Sequence, residues 1–309
     1  MSQTSRIDRT KLLMGGILVA SAGLAVLLLS RVDWPGALAA LLAIPLPVAL
    51  LALALCALSY VGLAGFDVVA VRTCPELGLS TAQALRGGAV AYGISNFLGF
   101  PWMTGAAVRQ RIYRLRPGSL GALATIVGSG WLAFDLSVAL ICGLCLLLAP
   151  GDIPFVPDGL RLPLGVLATG GAALAVLALG RGRSLRIAGR EVRLLSRRLT
   201  LQQMGCAALD LAASALVLYV LLPEALRGHF AGFLGLFVVA IGIGVLSHVP
   251  AGLGSFEAVM VLGLDAGHGP ELSAGLLAYR FIRTVLPFVL AAAVLLAVEG
   301  RGLGRSVPQ

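Results

Sequence analysis

Long apolar runs recur along the whole sequence, and they restrict the fold more than any other feature. A helix that crosses a bilayer needs about 20 mostly apolar residues. Hydrophobic residues fill 59% of the 309 positions and charged residues only 12%, whereas about 25% of a soluble domain is charged. The sequence therefore predicts an all-α integral membrane protein. Six runs are long enough to be spans: residues 11–30, 45–71, 119–149, 160–180, 200–222 and 271–298.

Two further apolar segments, 87–105 and 230–263, are interrupted by proline and glycine near their middles. Irregular backbone at membrane depth is tolerated only where protein or a water-filled cavity surrounds it. We therefore interpret each segment as a re-entrant helical hairpin that turns inside the membrane. The predicted hairpin tips contain Pro101, Gly105, His248, Pro250, Gly252 and Gly254.

The net charge of +9 comes mainly from arginines in short loops between the apolar runs, chiefly at 109–116 and 181–198. This distribution is typical of the positive-inside rule that orients membrane proteins. It argues against a nucleic-acid partner, whereas an anionic lipid headgroup is a candidate partner for some of these arginines. The pattern predicts cytoplasmic termini, provided that segment 87–105 enters and leaves on the cytoplasmic side.

An internal repeat appears when the sequence is shifted by 149 residues. The stretch VAYGISNFLGFPWMTG (90–105) then falls on VAIGIGVLSHVPAGLG (239–254), with six of sixteen positions identical, including the proline and the last glycine. Each half, 1–149 and 150–309, would contain three spans and one hairpin. Because three is odd, the halves must run in opposite directions through the membrane. We therefore predict an inverted-topology repeat, the plan of many secondary transporters.

Ionisable residues inside predicted spans are costly and are candidates for function. Asp67 lies near a span end, where Arg72 is an alternative partner, and Glu257 follows a GLG turn, where it could simply cap a helix. The candidates within the apolar segments are few: Asp67, Asp135, Asp210, Glu257, Arg280 and Arg283.

The arginines of this set differ in how readily a structural role explains them. Arg283 is a candidate ion-pair partner for Asp135 or Asp210, a role at least as plausible as transport. Arg280, deep in its span beside Tyr279, is the hardest to explain structurally.

The exit of the first hairpin carries Arg109, Arg111 and Arg114. A helix that starts near Thr104 would point its positive end at a cavity. Together these features favour a phosphate site, although the same arginines could be ordinary positive-inside residues. No HExxH, GxSxG or Walker A pattern occurs, and the three histidines lack ligand spacing, so we predict no catalytic centre, no metal and no cofactor.

Three stretches, NFLGFPWMTGAAVRQRIYRL (96–115), SHVPAGLGSFEAVM (247–260) and LAYRFIRTVLPF (277–288), carry a family resemblance. The chain resembles the membrane region of the bacterial lysylphosphatidylglycerol synthase/flippase family, the multiple peptide resistance factor. The resemblance departs at Ala251, where that family usually has glycine, and at Arg283 and Thr284, where it often has tyrosines. The residues that it places in the family's signature stretches are Asn96, Arg109, Arg111, Tyr113, Glu257, Tyr279 and Arg280. It also strengthens Asp67 and Asp210 as candidate transport residues, although neither lies in a motif.

The resemblance implies a flippase or scramblase of the bacterial inner membrane that moves lysyl-phosphatidylglycerol or a related phospholipid. We expect no lysyltransferase activity, because the chain ends at Gln309, soon after its last span. One alternative is a non-catalytic membrane subunit that works with a separate synthase domain or protein. A solute transporter is another, and a homo-oligomer is compatible with all three.

Overall fold

The computed structural model describes residues 42–115, 119–150, 155–179, 183–187, 190–247, 250–264 and 269–303, together with Pro35 and Ala39. The predicted span at 11–30 lies outside these residues, as do His248, both termini and parts of the two arginine-rich loops. Helices dominate the described residues, in agreement with the predicted fold class.

Five segments are long and apolar enough to cross a membrane. Four are single helices whose ends lie within three residues of the predicted spans: α1 (Leu46–Ala70), α4 (Leu120–Leu148), α5 (Asp158–Ala178) and α6 (Arg197–Leu221). The fifth, Glu271–Val298, lies within a longer helical segment. Exposed leucines cover the outer helix faces, as expected of surfaces in contact with lipid; on α5 they are Leu160, Leu162, Leu164, Leu167, Leu174 and Leu177.

The first broken segment folds as a helical hairpin of α2 (Thr81–Leu98) and α3 (Pro101–Ile112). Gly99 and Phe100 take positive φ values of 77° and 47° and turn the chain. The helices are antiparallel, because the Tyr113 hydroxyl at the end of α3 lies 3.1 Å from the Ala84 carbonyl oxygen near the start of α2. The second helix starts at Pro101, not near Thr104 as expected, because proline fits the first turn of a helix.

The second broken segment follows the short helix α7 (Glu224–Arg227). It folds in the same way as the first, with α8 (Phe230–Leu246) and α9 (Ser255–Gly263) joined through a 3₁₀ turn at Pro250–Gly252. Ala251, Gly252 and Gly254 all have positive φ. The two arms pack antiparallel: a Cβ on Gly252 would lie 3.1 Å from the Cα of Gly244, and one on Gly263 would lie 2.5 Å from the Leu236 side chain.

The last membrane segment is a continuous rod of α10 (Gly269–Arg280), a π-helical turn (Phe281–Val285) and α11 (Leu286–Leu303). In the π turn the Leu286 N–H bonds to the Phe281 carbonyl, one residue further back than in an α-helix. Pro287 explains the irregularity, because it has no N–H to donate to the Arg283 carbonyl four residues earlier. Such turns occur often at functional sites.

Helices α1 and α6 pack closely through Gly62. A Cβ on this glycine would lie 2.7 Å from the Cys206 carbonyl oxygen and 2.9 Å from the Asp210 backbone nitrogen. Neither backbone atom can move without shifting α6, so only glycine fits at this contact.

We therefore expect Gly62→Ala to lower the thermal unfolding midpoint in detergent by several degrees, since overpacking costs roughly 1–3 kcal/mol. Gly205→Ala is the matched control, because an added Cβ there meets nothing within 4 Å and alanine is the better helix former. Equal midpoints for the two variants would show that the α1–α6 contact is less tight than described.

A short β-hairpin, β1 (Arg183–Ile187) and β2 (Arg190–Leu194), occupies the arginine-rich loop between α5 and α6. It was not predicted. The Thr125 hydroxyl accepts a hydrogen bond from the Arg193 N–H at 2.9 Å, which ties the hairpin to α4. The Arg193 guanidinium also contacts Glu76 at 3.0 Å, and this hydrogen bond raises the pKa of Arg193.

Candidate functional site

The tips of both hairpins meet in one cavity of about 180 Å³. The first tip contributes Gly99, Phe100 and Pro101, and the second contributes Ala251 and Gly252. The remaining walls come from the hairpin helices α2, α3, α8 and α9, from α1, α4 and α6, and from the last membrane segment. Backbone that leaves helical geometry therefore lies beside a cavity, as membrane proteins require.

Aromatic rings form much of the cavity wall. Phe256 and Tyr279 stack with ring centroids 5.5 Å apart, and Phe237 meets both edge-on. The aromatic side chains of the wall are Phe66, Tyr92, Phe100, Trp102, Trp131, Phe134, Phe237, Phe256 and Tyr279. Such rings attract cations through their faces, so the wall accepts a charged group as well as apolar chains.

The first of three arginine–carboxylate pairs joins α3 to α1. Arg109 donates from Nε and Nη2 to the two oxygens of Asp67, at 2.8 and 2.7 Å. The Tyr113 hydroxyl donates to Asp67 Oδ2 at 2.5 Å, and Arg109 Nη1 donates to the Gly105 carbonyl at 3.2 Å. Both side chains are at most 3% exposed. All three guanidinium nitrogens of Arg109 donate hydrogen bonds, and the pair holds the first hairpin to α1.

The second pair closes the tip of the second hairpin. Arg280 Nε donates to Glu257 Oε1 at 2.6 Å, and its two Nη atoms donate to the carbonyls of Ala251 and Gly252. Glu257 Oε2 accepts the Gly254 N–H at 2.8 Å. Glu257 therefore caps its helix and pairs with Arg280 as well, so the two sequence-based interpretations are compatible.

The third pair lies between α6 and the π turn. Arg283 Nη2 donates to Asp210 Oδ1 at 2.7 Å, and Nε donates to the Ser214 hydroxyl at 2.8 Å. The Ser59 hydroxyl also donates to Asp210 Oδ1, at 2.5 Å. The guanidinium lies over the Tyr60 ring, 4.8 Å from its centroid. Among the described residues, Arg283 donates from two of its three guanidinium nitrogens, whereas Arg109 and Arg280 donate from all three.

One wall residue has an unmet hydrogen-bonding group. Ser95 is 1% exposed, and its hydroxyl has no hydrogen-bond partner in the part of the chain that the structure describes. A buried hydroxyl is normally hydrogen-bonded, so this atom is either solvated or paired when something occupies the cavity.

The structure brings most of the predicted site residues together. Of these, Asn96, Pro101, Arg109, Asp210, Gly252, Tyr279 and Arg280 line the cavity. Asp67 and Glu257 stand behind them as partners of the arginines, and Pro250 and Gly254 belong to the tip of the second hairpin. Gly105 was predicted at the first tip, but it lies inside α3, about one turn past the tip at Gly99 and Phe100, because the helix already begins at Pro101. Arg111 is exposed and does not line the cavity. His248 lies outside the described residues.

Two alternatives from the sequence are resolved by the contacts. Asp67 pairs with Arg109, whereas Arg72 donates to Gln202. Arg283 pairs with Asp210 and not with Asp135, which is exposed on α4. Sequence reasoning gave too little weight to Arg283 as a cavity residue, although Pro287 four positions later marks an irregular turn there.

Ser59, Ser95 and Ser214 were also missed as members of the site. A lone serine in an apolar helix carries no signal that separates it from a packing residue.

Known proteins are similar to most of the chain, although no protein-family model matches it. The protein slr0712 of Synechocystis, which is uncharacterised, is 30% identical over 262 residues, and the alignment covers 80% of this chain and 78% of slr0712. The chain belongs to the slr0712 family. The inner membrane protein YbhN of Escherichia coli is 27% identical over 258 residues, with 81% of this chain and 80% of YbhN covered.

The chain also has a more local similarity to an enzyme. The phosphatidylglycerol lysyltransferase of Staphylococcus xylosus is 37% identical over 95 residues, which cover 30% of this chain and 11% of the enzyme. The chain is thus a membrane protein related to part of a lysyltransferase, and the resemblance noted from sequence is supported at that coarser level.

Proposed function

We propose that the chain is a flippase or scramblase of the bacterial inner membrane that moves a phospholipid, lysyl-phosphatidylglycerol or a relative, between leaflets. The observation that carries the proposal is the meeting of two hairpin tips in a cavity with arginine–carboxylate pairs and aromatic walls. Charged and polar side chains lie beside a largely apolar and aromatic wall in this cavity, which suits a charged headgroup with acyl chains.

The proposal includes an inverted repeat of residues 1–149 and 150–309, with both termini in the cytoplasm. Element bounds support it. Adding 149 to the bounds of α1 gives 195–219, close to α6. The same shift carries α2 and α3 to 230–247 and 250–261, and α4 to 269–297, where the second hairpin and the rod lie. Inverted repeats commonly bind substrate where broken helices meet.

The predicted transport residues have two separate tasks in this proposal. Arg109 with Asp67 and Arg280 with Glu257 fix the hairpin tips, because their hydrogen bonds hold each tip to a neighbouring helix. Asp210, Asn96 and Tyr279 face the cavity and contact the headgroup, while Arg111 attracts anionic lipid towards the cytoplasmic entrance.

Proteoliposomes with headgroup-labelled phosphatidylglycerol or its lysyl ester test the proposal. We expect the purified protein to speed transbilayer movement of the lysyl lipid above that of protein-free vesicles. Arg198→Ala, a change at an exposed arginine outside the cavity, should leave that rate unchanged. Movement no faster than in empty vesicles, from protein shown to be folded, would contradict the proposal.

A membrane subunit of a lipid aminoacyltransferase is the second candidate, favoured by the local similarity to a lysyltransferase. It predicts that the chain co-purifies with a synthase and that its deletion lowers the total amount of aminoacylated lipid. A flippase instead predicts an unchanged total with less lipid in the outer leaflet.

A further inference from the structure

Arg283 differs from Arg109 and Arg280, the other two arginines that line the cavity, in how many of its guanidinium nitrogens donate a hydrogen bond. Arg109 and Arg280 use every guanidinium nitrogen on a carboxylate or a backbone carbonyl. Arg283 uses Nε and Nη2 only, and its Nη1 makes no hydrogen bond with any of the described residues. Two N–H groups of a buried cation therefore remain available beside the cavity.

Asp210 is incompletely satisfied in the same way. Three donors converge on Oδ1: the Arg283 guanidinium and the hydroxyls of Ser59 and Ser214. Oδ2 accepts no hydrogen bond from the described residues, yet Asp210 lines the cavity. The Asp210 side chain is largely buried, and a carboxylate oxygen without a donor is costly in such a place, so a donor from a ligand or solvent is expected at Oδ2.

A third unmet group and an irregular backbone border the same cavity. The Ser95 hydroxyl is buried without a partner among the described residues, and Arg283 lies in the π-helical turn that Pro287 imposes. These observations are independent of the charge pair, since one concerns α2 and the other the backbone of the rod.

We infer that Arg283 and Asp210 form the ligand-binding pair of the cavity, for a phosphate ester that also carries a hydroxyl or ammonium group. A phosphate oxygen accepts the free N–H groups of Arg283 and the Ser95 hydroxyl. The hydroxyl or ammonium donates to Asp210 Oδ2, and an ammonium also gains from the aromatic wall. This inference rests on the proposed function, because it takes the cavity to lie in a membrane protein that moves a lipid. The pair that it names, Arg283 and Asp210, differs from Arg280 and Glu257, which fix the tip of the second hairpin.

Binding to detergent-purified protein tests the pair, with three soluble probes: inorganic phosphate, ethanolamine and sn-glycero-3-phosphoethanolamine. Dihexanoyl-phosphatidylethanolamine is the lipid arm, which separates a lipid headgroup from a free phosphate ester as the source. We expect a compound with both groups to bind at least about tenfold more tightly than either group alone, as for one added charge-assisted hydrogen bond.

Arg283→Lys keeps a cation for Asp210 but loses the guanidinium fork, and we expect about tenfold weaker binding of the phosphate ester. Asp210→Asn should reduce the preference for the ester over inorganic phosphate. Ser95→Ala removes a hydroxyl that has no partner in the fold, so it should fold normally and weaken binding. Arg72→Lys, a change outside the cavity, is the control.

Binding by the lipid alone, with the same sensitivity to Arg283→Lys, supports the pair and identifies a lipid as the source. No binding of any probe, or equal binding by the wild type, Arg283→Lys and Ser95→Ala, overturns it. Variant-sensitive binding without lipid movement in vesicles would reject the flippase and retain the site. Lipid movement that Arg283→Lys leaves unchanged would reject the site and retain the flippase.

Discussion

Replacing Asp67 with alanine is expected to cause the largest loss of stability of any single change in the cavity. The carboxylate is 1% exposed and accepts two hydrogen bonds from Arg109 and one from Tyr113. Its removal leaves the buried Arg109 cation unpaired, which costs about 3–5 kcal/mol. We expect the thermal unfolding midpoint in detergent to fall by roughly 10 °C.

Asp135→Ala is the matched control, because this aspartate is exposed on α4 and makes no contact with a described charge. We expect it to leave the midpoint unchanged. The double variant Asp67→Leu with Arg109→Met should recover part of the loss, because buried ion pairs can be replaced by apolar groups of similar volume. A fall of only one or two degrees for Asp67→Ala would mean that the pair does not hold the first hairpin to α1.

Arg280→Ala is expected to have the largest effect on activity. This side chain joins Glu257 to the carbonyls of Ala251 and Gly252, and so fixes a tip in which three residues have positive φ. Without it the tip loses three charge-assisted hydrogen bonds. We expect lipid movement to fall more than about tenfold. The Leu253 N–H donates to the Pro250 carbonyl within this tip at 3.1 Å, and we expect that amide to exchange hydrogen faster.

The control for this variant is Arg227→Ala. Arg227 also donates to backbone carbonyls, those of Leu222 and Val220, but it does not line the cavity. Its loss should leave both lipid movement and exchange at Leu253 unchanged. Faster exchange with normal lipid movement in Arg280→Ala would separate the rigidity of the tip from transport.

The fold was predictable largely because the strongest constraint on a membrane helix is a continuous apolar run, and such a run is visible locally in the sequence. Hydrophobic runs located α1, α4, α5 and α6 to within three residues, and the prolines and glycines located both hairpins. The π turn in the last span was missed, although Pro287 lies inside the predicted segment and removes a helix hydrogen bond. The β-hairpin at 183–194 was also missed, because arginines dominated the interpretation of that loop.

The candidate site was predictable in membership but not in pairing. A charge in an apolar helix is conspicuous, so Asp67, Asp210 and Arg280 stood out. Their partners depend on how distant segments pack: Arg109 is 42 residues from Asp67, and Arg283 is 73 residues from Asp210. Only packing shows which arginine keeps a free donor, and a serine such as Ser95 becomes notable only when it is buried without a partner.

The central claim is that the cavity between the hairpin tips is the path of the lipid headgroup. Val127 lines this cavity without belonging to any charge pair, and cysteine is close to valine in size. Val127→Cys protein can be modified in detergent with a bulky methanethiosulfonate, checked by mass spectrometry and reconstituted. Leu185→Cys, on the exposed β1 strand, and wild-type protein treated alongside are the controls.

The measurement is transbilayer movement of headgroup-labelled lysyl-phosphatidylglycerol before modification, after it, and after reversal with a reductant. We predict that modification at position 127 stops the movement, that reductant restores it, and that both controls stay active throughout. An unchanged rate in fully modified Val127→Cys protein would contradict the claim, because the headgroup would then cross by a route other than this cavity.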